Sequence, residues 1–559
     1  MQTHEEKQTL APIFFETTPA QYQHWKIDYQ GPIAVLTMMV QEFKPLREGY
    51  QLKLNSYDLG VDVELADILE RLRFSHPEVK VVIITGDLKQ RVFCAGANIY
   101  MLGASSHPFK VNFCKFTNET RCGIEDTSKN SGVRFIAALN GTASGGGYEL
   151  ALACDEIYLI DDGNSAVSFP EVPLLGVLPG TGGLTRLVDK RKIRRDLADV
   201  FSTKAEGIKG KKAVQWKLVD GCFSKSSFQE KVMARASDLV QKCDSPYRLQ
   251  TPGIELTPLR VQVQDKKRLY ETLSLTLEPE KRVATLEVRA PENLPPSSPE
   301  EALKQGADFW PLKFFRELRD AIYHLRFNYP DIGVVVLRSK GDGKKVLAYD
   351  QLLNNHPKNW FLHEVVLLGG RVFRMLDINS KSQFTLIDQG TCFYGTLYEM
   401  ALTSDRIYML EGESDQNIRI ALSVANTGLY PMANGWTRLK SRFHGTPELE
   451  KKSVDRLPQE LDSIEALEYG LVTFTPDSID WDDEVRLAIE ERSSLSPDAL
   501  TGMESSLRFA GPETLETKIY GRLSAWQNWI FTRPNSTGEY GAITCYGQPK
   551  RPQFDWRRT

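Results

Sequence analysis

Two glutamates and a run of three glycines are the residues of this chain best suited to chemistry. Residues 143–155 read ASGGGYELALACD, so Gly145, Gly146 and Gly147 lead straight into an apolar helical pattern with Glu149 in its first turn. Residues 169–187 read FPEVPLLGVLPGTGGLTRL, and Glu171 stands there between Pro170 and Pro173, 22 residues after Glu149. Glycines let a ligand approach the backbone closely. N–H groups at a helix start lack partners and favour negative charge. Two carboxylates nearby can act as general acid and base. Each piece alone has a plainer reading. A glutamate in a first turn stabilises the helix dipole, and three glycines often make only a turn. Together they point to a site where an oxygen gains charge while a proton or a water is handled beside it.

A third segment, RVFCAGANI at 91–99, reads as a strand running into a glycine turn. In this order the three segments resemble the enoyl-CoA hydratase (crotonase) superfamily. The resemblance implies an acyl-CoA thioester as substrate, with CoA part of the substrate, no separate cofactor and no metal. It implies that the backbone N–H groups of Ala97 and Gly146 bind the thioester oxygen, and that Ala95, Gly96, Asn98 and Gly145 line that place. Glu149 and Glu171 match the pair that holds and activates water. The family often has Asp where this chain has Asn98, so the turn is kept and the side chain is changed. Lys53, and Arg47 before it, are expected near the CoA phosphates. His107, in ASSHPF, has little to tie it to the substrate.

Over its whole length, including the tail RPQFDWRR, the chain is similar to a lyase branch of that superfamily acting on aromatic CoA thioesters. The likeness implies hydrolytic ring opening with C–C cleavage. An ordinary enoyl-CoA hydratase, or a CoA-thioester-binding scaffold without turnover, are the alternatives. It also places Cys114, in VNFCKFTNETR at 111–121, beside the two glutamates. Phe113 and Phe116 flank Cys114 and suit either an aryl pocket or a core. The plainer reading of Cys114, as of Cys94 and Cys154, is a small buried thiol.

These residues need a scaffold. Short apolar runs such as 33–40, 79–86 and 134–139 alternate with helical patterns such as VELADILERLRF at 63–74, which predicts an α/β class. The family resemblance narrows this to a spiral of ββα turns. The chain also repeats itself. LRFSHP at 72–77 returns as LRFNYP at 325–330, YELALACDEIYLI at 148–160 as YEMALTSDRIYML at 398–410, and LLGVLPGTGGLTRL at 174–187 as NTGLYPMANGWTRL at 426–439. The offset stays between 250 and 253 residues, as two copies of one fold would require. The expected order is an N-terminal extension at 1–27, a catalytic domain at 28–245, a linker at 246–265, a degenerate copy at 266–478, and a helical region with a surface-lying tail at 479–559. In the second copy GGGYE becomes GTLYE at 395–399, Ser423 stands opposite Glu171, and CAGAN becomes LAYDQ at 347–351, with Tyr349 expected to fill the oxygen-binding turn. Glu399 survives without its glycines, so that copy is expected to be silent and structural.

Bulk properties narrow the class further. A length of 559 residues exceeds one core. A formal net charge of −4 gives no reason to expect nucleic acid. No apolar run reaches the roughly 18 residues that span a bilayer, and MQTHEEKQTL lacks the order of a signal peptide. The 8 cysteines form no CxxC pair and the 8 histidines no HExxH, which argues against zinc. Reduced thiols fit the cytoplasm. Homo-oligomerisation, with a dimer favoured, follows from the family resemblance.

Overall fold

Short apolar runs build the sheet of the first half. Val81–Gly86 and Arg134–Leu139 are buried along nearly their whole length, as strands covered on both faces must be. In the computed structural model, which describes residues 11–412, 417–455 and 457–559, they lie at the centre of a six-stranded sheet. Its order is Trp25–Gln30, Ile33–Met38, Val81–Gly86, Arg134–Leu139, Glu156–Asp161, Gly221–Ser224. The first pair is antiparallel and the others are parallel. Helix Phe228–Gln241 seals one face, its Phe228, Val232 and Ala236 packing with Ile33, Val81, Ile83 and Ile136.

A smaller sheet is made of Val92–Cys94, Thr142–Ser144, Ala166–Ser168 and Ile208–Lys209. Three times the chain runs from a long strand to a short one and then into a helical turn: by way of Val92–Cys94 to Ile99–Ala104, of Thr142–Ser144 to Gly146–Ala153, and of Ala166–Ser168 to Glu171–Leu175. This is the expected ββα spiral. Each short strand hands over to one of the three segments singled out in the sequence, so all three leave the ends of the three mutually parallel strands of one small sheet, whose fourth strand runs antiparallel. Sites in α/β folds gather at such carboxyl ends.

The chain divides into two compact units. One spans Glu16–Pro258 with Lys358–Trp360; the other takes Leu259–Pro357 and Phe361–Thr559, with the described residues up to Phe15. The boundaries differ from those expected. The first unit starts before residue 28 because Trp25–Gln30 is its edge strand, and residues 1–10 lie outside the described residues. The stretch expected as a linker is used by both units. Leu249 and Ile254 donate to the Pro77 and Phe74 carbonyls, both at 2.9 Å, and Gln262–Gln264 is already a strand of the second sheet.

The second unit has a seven-stranded sheet: Gln262–Gln264, Lys267–Leu269, Leu273–Glu278, Val283–Arg289, Val334–Lys340, Ser382–Ile387, Arg406–Met409. Its early pairs are antiparallel and its last three parallel. The helical region 479–559 is part of this unit. Glu504, on helix Pro497–Leu507, is buried with Arg492 and Arg558, each at 3.0 Å. Arg508 donates to Asp405 at 2.8 Å. The tail expected to lie along the surface instead ends with Arg558 and Thr559 buried, because Glu504 needs the Arg558 charge.

Candidate active site

Glu149 sits in a helix, Gly146–Ala153, whose every residue is buried. A buried carboxyl requires partners, and Glu149 has three donors. The N–H groups of Thr181 and Gly183 reach Oε1 at 2.9 and 2.8 Å, and the Thr181 hydroxyl donates to Oε2. The PGTGG turn after Glu171 is therefore a clamp that fixes the Glu149 carboxyl. Hydrogen bonds to a charged group contribute about 1.5–3 kcal/mol each, ample to hold one rotamer.

Glu171 opens the helical turn Glu171–Leu175 and is also buried, yet among the described residues its Oε2 has no hydrogen-bond partner. Burial, reinforced by the charge of Glu149 and only partly offset by a backbone hydrogen bond, pushes its carboxyl up to about 7. Near neutrality such a group can both give and take a proton. The glycines make room for it. Gly145 has φ +52°, and a Cβ there would lie 2.4 Å from Glu171 Oε1. At Gly146 a Cβ would lie 2.1 Å from the Tyr57 hydroxyl oxygen. Carboxyl and hydroxyl thus both press on the backbone of one turn, which only glycine permits.

The expected donors lie in abutting turns: a methyl group at Gly96 would stand 2.9 Å from the Gly146 nitrogen. Gly146 heads its helix, so its N–H has no helical acceptor. Ala97 pairs with Tyr57 in a parallel bridge. Tyr57 donates to the Gly96 carbonyl at 3.0 Å and Asn98 donates to the Tyr57 carbonyl at 2.8 Å, which leaves the Ala97 N–H facing away from Tyr57. Among the described residues neither N–H has an acceptor. Two unpaired donors in abutting turns can hold an oxygen that gains charge.

The remaining expected residues divide. Ala95 donates to the Leu54 carbonyl at 3.2 Å and so braces the turn. The Asn98 side chain is spent on structure. It caps helix Ile99–Ala104 through Met101 at 2.9 Å and donates to the Gln51 carbonyl and Ser56 hydroxyl at 2.7 and 3.0 Å. It is thus not a side chain offered to substrate. Lys53 is exposed at the start of the turn Lys53–Asn55. Arg47 lies 4.8 Å over the Phe109 ring. Cys114 is half-buried on helix His107–Asp126, which His107 begins. A methyl group at Gly180 would stand 3.4 Å from its Sγ, so Cys114 borders the Glu149 clamp. Burial, with smaller pushes from Glu149 and Asp62, raises its thiol to about 11, so it is no thiolate at neutral pH. Cys94 and Cys154 are buried thiols, both pushed up to about 12. Tyr57 and Thr181 were not singled out in the sequence. Thr181 lies within a segment already recognised, but NSYD at 55–58 carries no motif that marks Tyr57.

In the second unit the counterpart of this turn is occupied. Gly395 has φ 50° and ψ −117° and caps Thr396–Ala401, as Gly145 with φ 52° and ψ −127° caps Gly146–Ala153. The Thr396 N–H, matching that of Gly146, donates to the Asp350 carboxylate at 2.9 Å; the Thr396 and Ser423 hydroxyls donate to it as well. Residues 347–351, expected as a turn, lie inside helix Gly343–Asn355. Tyr349 packs on Phe309 and Trp310, so Asp350 rather than Tyr349 fills the place. Glu399 is held by Arg438 at 2.8 Å and Asn426 at 2.9 Å.

The enoyl-CoA hydratase/isomerase family model matches residues 51–255, which contain all of this first-unit geometry. Benzoyl-CoA-dihydrodiol lyase of Aromatoleum evansii is 50% identical over 558 residues, 100% of each chain. The chain belongs to the benzoyl-CoA-dihydrodiol lyase family. As a member it is a lyase of the crotonase superfamily, and the spiral of its first half is that superfamily's fold. More distant is 2,3-dehydroadipyl-CoA hydratase of Escherichia coli K12, 29% identical over 220 residues, covering 38% of this chain and 80% of that protein. An enoyl-CoA hydratase structure from Bacillus anthracis is 26% identical, covers 39% of this chain and 76% of its own, and has a TM-score of 0.33. Among the described residues no helix is long and apolar enough to cross a membrane.

Proposed function

We propose that the chain opens 2,3-epoxybenzoyl-CoA with two waters, giving 3,4-didehydroadipyl-CoA semialdehyde and formate. The full-length likeness to benzoyl-CoA-dihydrodiol lyase supports an aromatic CoA thioester. The observation that carries the chemistry is an unpartnered Glu171 near neutrality beside a clamped Glu149 and two unpaired N–H groups. The thioester oxygen accepts from Ala97 and Gly146. So polarised, the acyl group takes up the electron pair released when a ring C–C bond breaks, and the two donors carry the enolate charge. Glu149 and Glu171 orient the waters. One opens the epoxide and the other hydrates the carbon that leaves as formate. Glu171 takes a proton from water and returns it to the enolate. These steps are proton transfers and charge stabilisation, so the reading calls for no cofactor beyond the CoA of the substrate.

The second half is read as a copy of the same fold whose site Asp350 has closed. Its matching glycine geometry supports this, as does a second parallel: the Tyr148 and Tyr398 hydroxyls donate to the Leu218 and Leu471 carbonyls, both at 2.7 Å. The test is to incubate the protein with epoxidised benzoyl-CoA and measure formate, with crotonyl-CoA hydration as control. Formate equal to substrate consumed is expected. Crotonyl-CoA hydration without formate would make the chain an ordinary hydratase. Thioester binding without either turnover would make it a scaffold.

A further inference from the structure

Tyr57 touches the candidate site twice. Its backbone brackets Ala97 through the two bonds of the bridge, and its hydroxyl lies against the Gly146 Cα. The residue is 1% exposed, and among the described residues its hydroxyl has no hydrogen-bond partner. The ring is firmly held. The Arg121 guanidinium stacks over it at 5.2 Å and is itself paired with Asp62 at 2.6 Å, a carboxylate that also accepts from Thr117 at 2.6 Å. Phe113 closes another side, with ring centroids 6.0 Å apart.

We propose that Tyr57 is a further catalytic residue: its hydroxyl is a third donor, beside Ala97 and Gly146, to the thioester oxygen as that oxygen gains charge. The proposal rests on the reading of the site given above. Three donors meet there, and among the described residues none of them has an acceptor. Burial keeps the phenol protonated and therefore a donor.

The test uses the whole protein and benzoyl-CoA, a thioester with no epoxide to open. Infrared spectra of the bound thioester carbonyl are compared for the wild type and Tyr57→Phe, alongside kcat on the epoxide, the Kd for benzoyl-CoA and the Tm. The wild type should lower the carbonyl stretch relative to free benzoyl-CoA, and Tyr57→Phe should return it part of the way. Turnover should fall about 10²-fold, the weight of one such donor, with Kd within about threefold. An unchanged stretch in Tyr57→Phe, or unchanged kcat, overturns the proposal while leaving the site reading intact. No shift in the wild type itself overturns that reading instead. If Tyr57→Phe loses its fold, 3-fluorotyrosine installed at position 57 keeps the shape and strengthens the donor. The stretch should then fall further, and an unmoved stretch counts against Tyr57.

Discussion

The same turn is built twice in this chain, and only one of the two leaves its first helical N–H without an acceptor among the described residues. In the first half Gly145 and Gly146 let the Glu171 carboxyl and the Tyr57 hydroxyl lie against the backbone, and among the described residues the Gly146 N–H has no acceptor. In the second half the matching N–H of Thr396 is satisfied by Asp350, whose carboxyl burial pushes up to about 7. Glu149 is clamped by neutral donors from one loop, whereas Glu399 is neutralised by the Arg438 guanidinium, which also holds Asp377 at 2.6 Å. The difference teaches that a site is defined less by which carboxylates survive than by which polar groups are left without internal partners. Where every donor and acceptor is paired, the result is a core.

The largest expected contrast comes from the glutamates themselves. Glu149→Gln and Glu171→Gln should each lower turnover about 10²–10⁴-fold, the usual weight of acid–base catalysis, with CoA-ester binding near normal. A double variant that turns over at the wild-type rate would break the comparison at its base. Glu399→Gln should do the opposite. It leaves kcat unchanged but weakens a buried ion pair, costing on the order of 3 kcal/mol, because Arg438 loses one of two carboxylates. Denaturant unfolding read beside kcat checks this. Lost activity at unchanged stability would mean the second site is not silent.

Glu171 also has a stability signature. Its carboxyl ionises near 4.5 when unfolded and near 7 when folded. Between those values the native state holds the extra proton, so stability falls as pH rises through that window. Glu171→Gln should therefore raise stability by on the order of 2 kcal/mol at pH 8 and by almost nothing at pH 4. Melting curves at the two pH values decide it; an equal effect at both would remove burial as the cause. The smallest expected effect is at Cys114. If it borders the reacting groups, Cys114→Ala lowers kcat several-fold and leaves the Tm nearly unchanged. A thiol that only fills space gives the reverse, lost Tm with kcat intact.

Much of this was legible in the sequence, for reasons that differ by residue. The strands were visible because parallel strands are continuous apolar runs, and the GGG turn because only glycine fits there. Glu149 and Glu171 were visible through their setting. Asp350 was not, because a helix replaced the expected turn and brought to the hole a residue that had no role in the pattern. The use of 246–258 and of Arg558 was hidden too. Polar composition suggests a linker or a loose tail, and only the fold supplies Pro77, Phe74 and Glu504 as partners. Tyr57 was missed because a lone tyrosine before a helix cap carries no spacing to read.

Asp350 has one more consequence, for reversibility. If the second half descends from an active copy, its closure cannot be undone one substitution at a time. Replacing Asp350 by Ala strips the Ser423 hydroxyl and the Thr396 N–H of their acceptor among buried residues and leaves the Thr396 hydroxyl only its longer bond to Tyr430, while restoring glycine at 396 leaves the carboxyl still lodged against the backbone N–H. Each single step lowers stability and yields no pocket, so drift could pass through this change in one direction and not return.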